Sequence, residues 1–187
     1  MNTALVVIDF INDIVHPDGK IPSCAEQVAE KGVIEKANDA IAWARKLEHL
    51  IIFVKVGFTE GYQDQPKHSP IFGKANSLGA LNLNGWGTAF HEDLQVTAND
   101  LVVVKPRVNP FYCTSLDATL RANQINNLYV CGVSTSWAIQ SIVRDAHDRD
   151  YVVHVVADAC AAHTDAEHSA SLAQLERIAT ITPSRLL

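Results

Sequence analysis

Ala4-Leu5-Val6-Val7-Ile8 is an unbroken apolar run, rich in β-branched residues, that ends on a carboxylate, Asp9. A run without alternation reads as a strand buried on both faces, which is the pattern of a parallel sheet covered by helices on both sides. The rest of the chain follows from that start. From Ala25 to Glu48, Ile34, Ala37, Ile41, Ala44 and Leu47 recur at three- and four-residue spacing and predict an amphipathic helix. Leu50 to Val56 predicts the second strand and Leu101 to Val104, ending at Lys105, the third. A helix follows from Thr114, with Thr114 and Asp117 at capping-box spacing. Asn127 to Cys131 is the next strand, and the small-residue turn Gly132 to Ser136 leads into a helix reaching Arg149. Tyr151 to Ala157 is another strand, Thr164 and Glu167 open a last helix, and Ile178 to Thr182 forms an edge strand. This alternation predicts a three-layer α/β/α sandwich with a mostly parallel, about six-stranded sheet. Residues 1–187 are expected to form a single domain, since no repeat, linker or change of composition divides them.

Composition narrows the partners. Of 187 residues, 48% are hydrophobic and 19% charged, and Lys and Arg (15) against Asp and Glu (21) leave a net charge of −6. With no basic stripe, nucleic acid and anionic membrane surfaces are not expected partners. The longest apolar runs fall far short of the ~20 residues that span a bilayer. No secretory signal is visible near Met1, so a cytoplasmic location is expected. Cys24, Cys113, Cys131 and Cys160 are widely spaced with no CxxC, and are read as reduced and mostly structural. In an open α/β sheet, ligands bind beyond the carboxyl ends of the strands. That rule gathers Asp9, Lys105, Gly132 to Ser136 and Asp158 at one sheet edge. A carboxylate emerging from Val and Ile is partly desolvated, which raises its pKa and suits acid/base work. Lys105 can pair with it and stabilise developing negative charge. The turn before the third helix presents unpaired N–H groups to an anion, although Ser134, Thr135 or Ser136 could equally serve as caps. Asp158 is expected only to hold the following turn. The eight histidines show no HxH or HExxH, and His163 and His168 are expected at a helix surface, so no metal and no cofactor is expected. The GxSxG elbow and the GxGxxG loop are missing as well.

Taken in order, Leu5 to Asp13, Gly85-Trp86-Gly87-Thr88, Val103-Val104-Lys105 with Asn109 to Leu116, and Val130 to Ser136 running on to Val143-Arg144-Asp145-Ala146 resemble the isochorismatase-like hydrolase superfamily over nearly the whole chain. The resemblance implies a Rossmann-like fold, a small-molecule substrate, Asp9 as the acidic catalytic residue, Lys105 as the family lysine, and a non-proline cis peptide at Val133-Ser134. It also implies a homo-oligomer, with the segment Gly57 to Asp100 as a plausible contact. That segment is rich in Gly, Pro, Asn and Ser with little periodicity, and a connection of such length is usually functional. In the family's cysteine hydrolases the nucleophile falls where this chain has Ala138, whose methyl group cannot attack a carbonyl. Cys113, Cys131 and Cys160 read as small buried hydrophobes rather than as replacements. Three explanations stay open: hydrolysis without a covalent intermediate, as true isochorismatases perform on an enol ether; substitution of a native cysteine at 138; or a silent relative that binds without turnover. Glu60, Asp64 and His68 provide no Asp-x-His pair, which disfavours a nicotinamidase. Val133, Ser134, Trp137, Phe58, Trp86, Asn109 and Tyr112 are the candidate substrate-binding residues, the aromatic ones offering faces to a small planar or cyclic ligand.

Overall fold

The computed structural model describes residues 2–187. Six parallel strands, β1 (Thr3–Ile8), β2 (Leu50–Val56), β3 (Leu101–Lys105), β4 (Asn127–Val133), β5 (Val152–Ala161) and β6 (Thr180–Thr182), lie in the order β3-β2-β1-β4-β5-β6. β1 is central and completely buried, as its unbroken apolar run requires. Connections from β1 step outward to β2 and β3, while those from β4 step the opposite way to β5 and β6. Right-handed crossovers in opposite directions put their helices on opposite faces, giving the three layers. Strand order reverses between β1 and β4, so the crevice beyond their carboxyl ends is the switch point of the sheet.

Local chemistry explains where the elements depart from the periodicity. The expected helix from Ala25 to Glu48 is two helices, α2 (Ala25–Glu30) and α3 (Val33–Lys46), preceded by one short turn, α1 (Asn12–Val15). The break falls at Gly32, whose φ of 60° is left-handed and open to glycine without a Cβ penalty. α3 buries Val33, Ile34, Ala37, Ala40, Ile41 and Ala44, whereas Leu47 lies past its end and is exposed. Segment 57–100 is not structureless. It holds α4 (Ala75–Leu78) and a 3-10 turn, Trp86–Thr88, and folds onto a second apolar cluster around Ile11, Val56, Phe58, Phe72 and Leu81.

α5 (Leu116–Ala122) lacks the expected capping box. Thr114 Oγ accepts only from the Leu116 N–H and donates to the Pro110 carbonyl, and Asp117 instead accepts from the Tyr151 hydroxyl. One wide π-helical turn, Thr135–Ile139, precedes α6 (Gln140–Asp148). β5 runs beyond the expected Ala157 because three extra residues bulge where Val130 pairs with Val155 and Gly132 with Cys160. Asp158 sits in that bulge and accepts from Ser184 N–H at 2.7 Å and Ser184 Oγ at 2.9 Å, pinning the C-terminal turn. α7 (Asp165–Leu175) starts as the spacing predicts, with Thr164 Oγ accepting from the Glu167 N–H. Among the described residues, no helix is long and apolar enough to cross a membrane.

Candidate active site

Asp9 follows the last residue of β1, and Lys105 ends β3 two strands away. Both are almost wholly buried, at 3% and 1% exposure, and Lys105 Nζ lies 2.7 Å from Asp9 Oδ2. The other carboxylate oxygen accepts from the Val56 N–H at 2.8 Å, and the ammonium also donates to the carbonyls of Arg107 (3.2 Å) and Val108 (3.1 Å). The pair is therefore fully hydrogen-bonded, the condition for keeping two charges out of water. Burial pushes the Asp9 carboxyl up from its ordinary range, against the pull of the Lys105 ammonium and the Val56 N–H.

A cavity of about 230 Å³ opens over this pair. Val133, Ser134, Trp137 and Ala138 form one side of it, with a cis peptide between Val133 and Ser134. This geometry depends on Gly132, whose φ of 133° is closed to L side chains and where a Cβ would stand 2.1 Å from the Ile8 carbonyl oxygen. Ser134 precedes the turn leading into α6 and Ala138 lies within it, at the N-terminal end of that helix, which carries positive charge. Trp137 is 60% exposed and stands at the rim. The opposite wall comes from Cys24, Ile71, Phe72 and Leu81, none of which the spacing singled out. Ile71, Phe72 and Leu81 belong to the long segment whose length alone pointed to function. Cys24 lies at the end of the loop between α1 and α2, and its spacing carries no signal that marks it.

The other candidate residues lie elsewhere. Phe58 is fully buried in the second apolar cluster, edge-on to Phe72. Trp86 is half exposed and packs edge-on against His16 at 5.0 Å, outside the cavity lining. Asn109 and Tyr112 line an adjoining groove, where the Asn109 side-chain amide donates to Asp145 at 2.6 Å. Two expectations are corrected. Cys113 is exposed rather than buried, on a loop where its own φ is 52°. His163 is exposed, but His168 is half-buried and its Nδ1 shares a hydrogen bond with Thr135 Oγ at 2.8 Å, fixing the turn against α7. Burial pushes the thiols of Cys24 and Cys160 up to about 11 and about 12 and raises Cys131 as well, which keeps them protonated near neutrality. Asp64 is committed to the Thr59 N–H and hydroxyl, and no group of three His, Cys, Asp or Glu converges among the described residues.

Comparison with known proteins agrees with this architecture. Residues 3–185 match the isochorismatase domain family. The ureidoacrylate amidohydrolase RutB of Stutzerimonas stutzeri is 32% identical, over 84% of this chain and 68% of its own. An isochorismatase family protein of Desulfovibrio vulgaris shares the fold at a TM-score of 0.87 and 24% identity, over 98% of this chain and 95% of its own. The N-carbamoylsarcosine amidase of Thermoplasma acidophilum superposes at 0.77 with 26% identity, over 98% and 97%. With a six-stranded parallel sheet, a site at its switch point and a domain match over nearly its full length, the chain belongs to the isochorismatase family, among relatives named as hydrolases.

Proposed function

We propose that this chain hydrolyses a small molecule without a covalent enzyme intermediate, with Asp9 as the acid/base and Lys105 as its electrostatic partner. The observation that carries the reading is the buried Asp9–Lys105 pair facing a cavity whose wall at position 138 is a methyl group. A carboxyl held up by burial keeps its proton to higher pH than a free one, as a general acid needs. On an enol ether, Asp9 would protonate the vinyl carbon. Water then adds to the resulting oxocarbenium carbon and the hemiketal breaks down, its proton returning to the carboxylate. Lys105 steadies the carboxylate left after proton transfer. The names of the amidohydrolase and amidase relatives favour a second reading, in which position 138 held a cysteine nucleophile that alanine replaces.

Product formation from isochorismate and a panel of amides and carbamoyl compounds, with the unchanged chain and Ala138→Cys side by side, separates the readings. Turnover by the unchanged chain supports non-covalent Asp9 chemistry. Amide hydrolysis only after the thiol is introduced supports the second reading, and silence in both points to a relative that binds without turnover. The proposal also includes a homo-oligomer. Leu101, Val102 and Val104 on the edge strand are each more than 40% exposed, and sedimentation velocity tests whether a second copy covers them.

A further inference from the structure

Residues 163–168, where β5 leads into α7, bond to both walls of the cavity while lining neither. On one side His163 Nδ1 donates to the Ser23 carbonyl at 2.9 Å, and Asp165 pairs with the Lys31 ammonium. Ser23 and Cys24 belong to that wall, and Lys31 ends α2, the helix that begins behind Cys24. On the other side His168 Nδ1 shares its hydrogen bond with Thr135 Oγ, and the Glu167 carboxylate accepts from Ser136 Oγ at 3.5 Å. Thr135 and Ser136 stand between Ser134 and Ala138, which form the facing wall. Thr135 is fully buried, so its hydroxyl needs the His168 ring as partner. The Lys31–Asp165 pair is exposed and adds little to global stability. Its geometric effect is larger, because one capped helical turn carries the contacts to both walls and neither can draw back alone.

We propose that residues 163–168 clasp the two walls at the spacing that the Asp9 chemistry requires, with Asp165 and His168 as positioning residues. The inference rests on the cavity being the reaction site. Hydrogen exchange of the full chain, read by mass spectrometry over peptides covering 23–31 and 133–139, tests it, with kinetics on any compound of the panel that is turned over. Lys31→Met removes a contact of the first wall only, yet should speed exchange in both peptides by about threefold, the scale of one exposed ion pair. His168→Ala, which frees the second wall, should loosen both as well, and His168→Asn, whose amide reaches the Nδ1 position, should restore most of the protection. Tyr151→Phe, which loses its bond to Asp117 at the other end of β5, should loosen neither. His168→Ala should lower kcat several-fold with KM moved less, and His168→Asn should recover it. Loosening confined to the wall whose contact was removed, equal loosening in Tyr151→Phe, or no recovery in His168→Asn would overturn the clasp; Lys31→Met decides the matter even where His168→Ala fails to fold. Coupled loosening without turnover by the unchanged chain would keep the clasp and sink the hydrolytic reading. Turnover whose kcat is indifferent to His168→Ala would keep that reading and sink the positioning role.

Discussion

At Asp9 the backbone leaves β1 with a φ of 58°, and the carboxylate meets both the end of β2, through Val56, and the end of β3, through Lys105. That meeting was legible in the sequence because both residues directly follow apolar runs of parallel strands, whose carboxyl ends share one edge. The aromatic candidates were less legible. Phe58, Trp86 and Trp137 carry the same chemistry, and only tertiary packing sends the first to the core, the second beside His16 and the third to the rim. If protonated Asp9 is the acid, kcat/KM falls as pH rises through its raised pKa. Lys105 opposes that rise, so Lys105→Met should move the alkaline limb to higher pH while lowering the maximal rate. Asp9→Asn cannot give up a proton to the substrate and should cost about 10²-fold or more in kcat, the lower end of general acid catalysis. Unchanged turnover in Asp9→Asn, or a limb that stays put in Lys105→Met, would remove that residue from the mechanism.

At the scale of elements, where each strand begins was readable, while the end of β5 and the helix ends were not. Strand identity rests on runs of Val and Ile, whereas a cap rests on one hydrogen bond whose donor can choose another partner. Thr164 makes its bond to Glu167 and Thr114 turns to Pro110, though both pairs have the same spacing. Thr164→Ala should therefore destabilise the protein by about 1 kcal/mol, measurable as a lower midpoint in urea, while Asp117→Ala should leave the α5 cap unaffected. α7 also carries His168, which bonds Thr135 in the turn leading to Ala138. Burial holds the His168 pKa down, with the Lys31 ammonium in the same direction and Asp165 against it. Burial likewise lowers His154. An imidazole with a lowered folded pKa stabilises fully above its unfolded pKa, and that stability is lost as pH falls toward the folded value. The melting temperature should thus drop on acidification below about pH 6.5. His168→Gln, which cannot take up a proton, should flatten that drop; the same slope in the variant would mean that other groups set it.

Over the whole molecule, the sheet supplies the acid and its lysine, and segment 57–100 supplies the wall that closes over them. Its length marked it as functional, but no periodicity revealed that Ile71, Phe72 and Leu81 would line the cavity with Asp9, because their placement rests on tertiary contacts, and that of Leu81 on a residue outside the segment. That residue is Asp13. It is 1% exposed, and its carboxylate accepts from the Leu81 N–H at 2.6 Å and the Lys20 N–H at 3.1 Å, tying the wall and the loop after α1 to α1 itself. The sheet pairs its own backbone and does not depend on this tie. Asp13→Ala leaves two backbone donors without their acceptor and should cost about 1–3 kcal/mol for each one that stays buried. The loss should be local before it is global, since a segment outside the sheet's ladder opens below the free energy of global unfolding. Limited proteolysis should then cut within 57–100 several-fold faster in Asp13→Ala, with far-ultraviolet circular dichroism retained and the affinity of any cavity ligand reduced. Equal cleavage rates in the two chains would show that the apolar cluster around Phe58 and Phe72 holds the wall without Asp13.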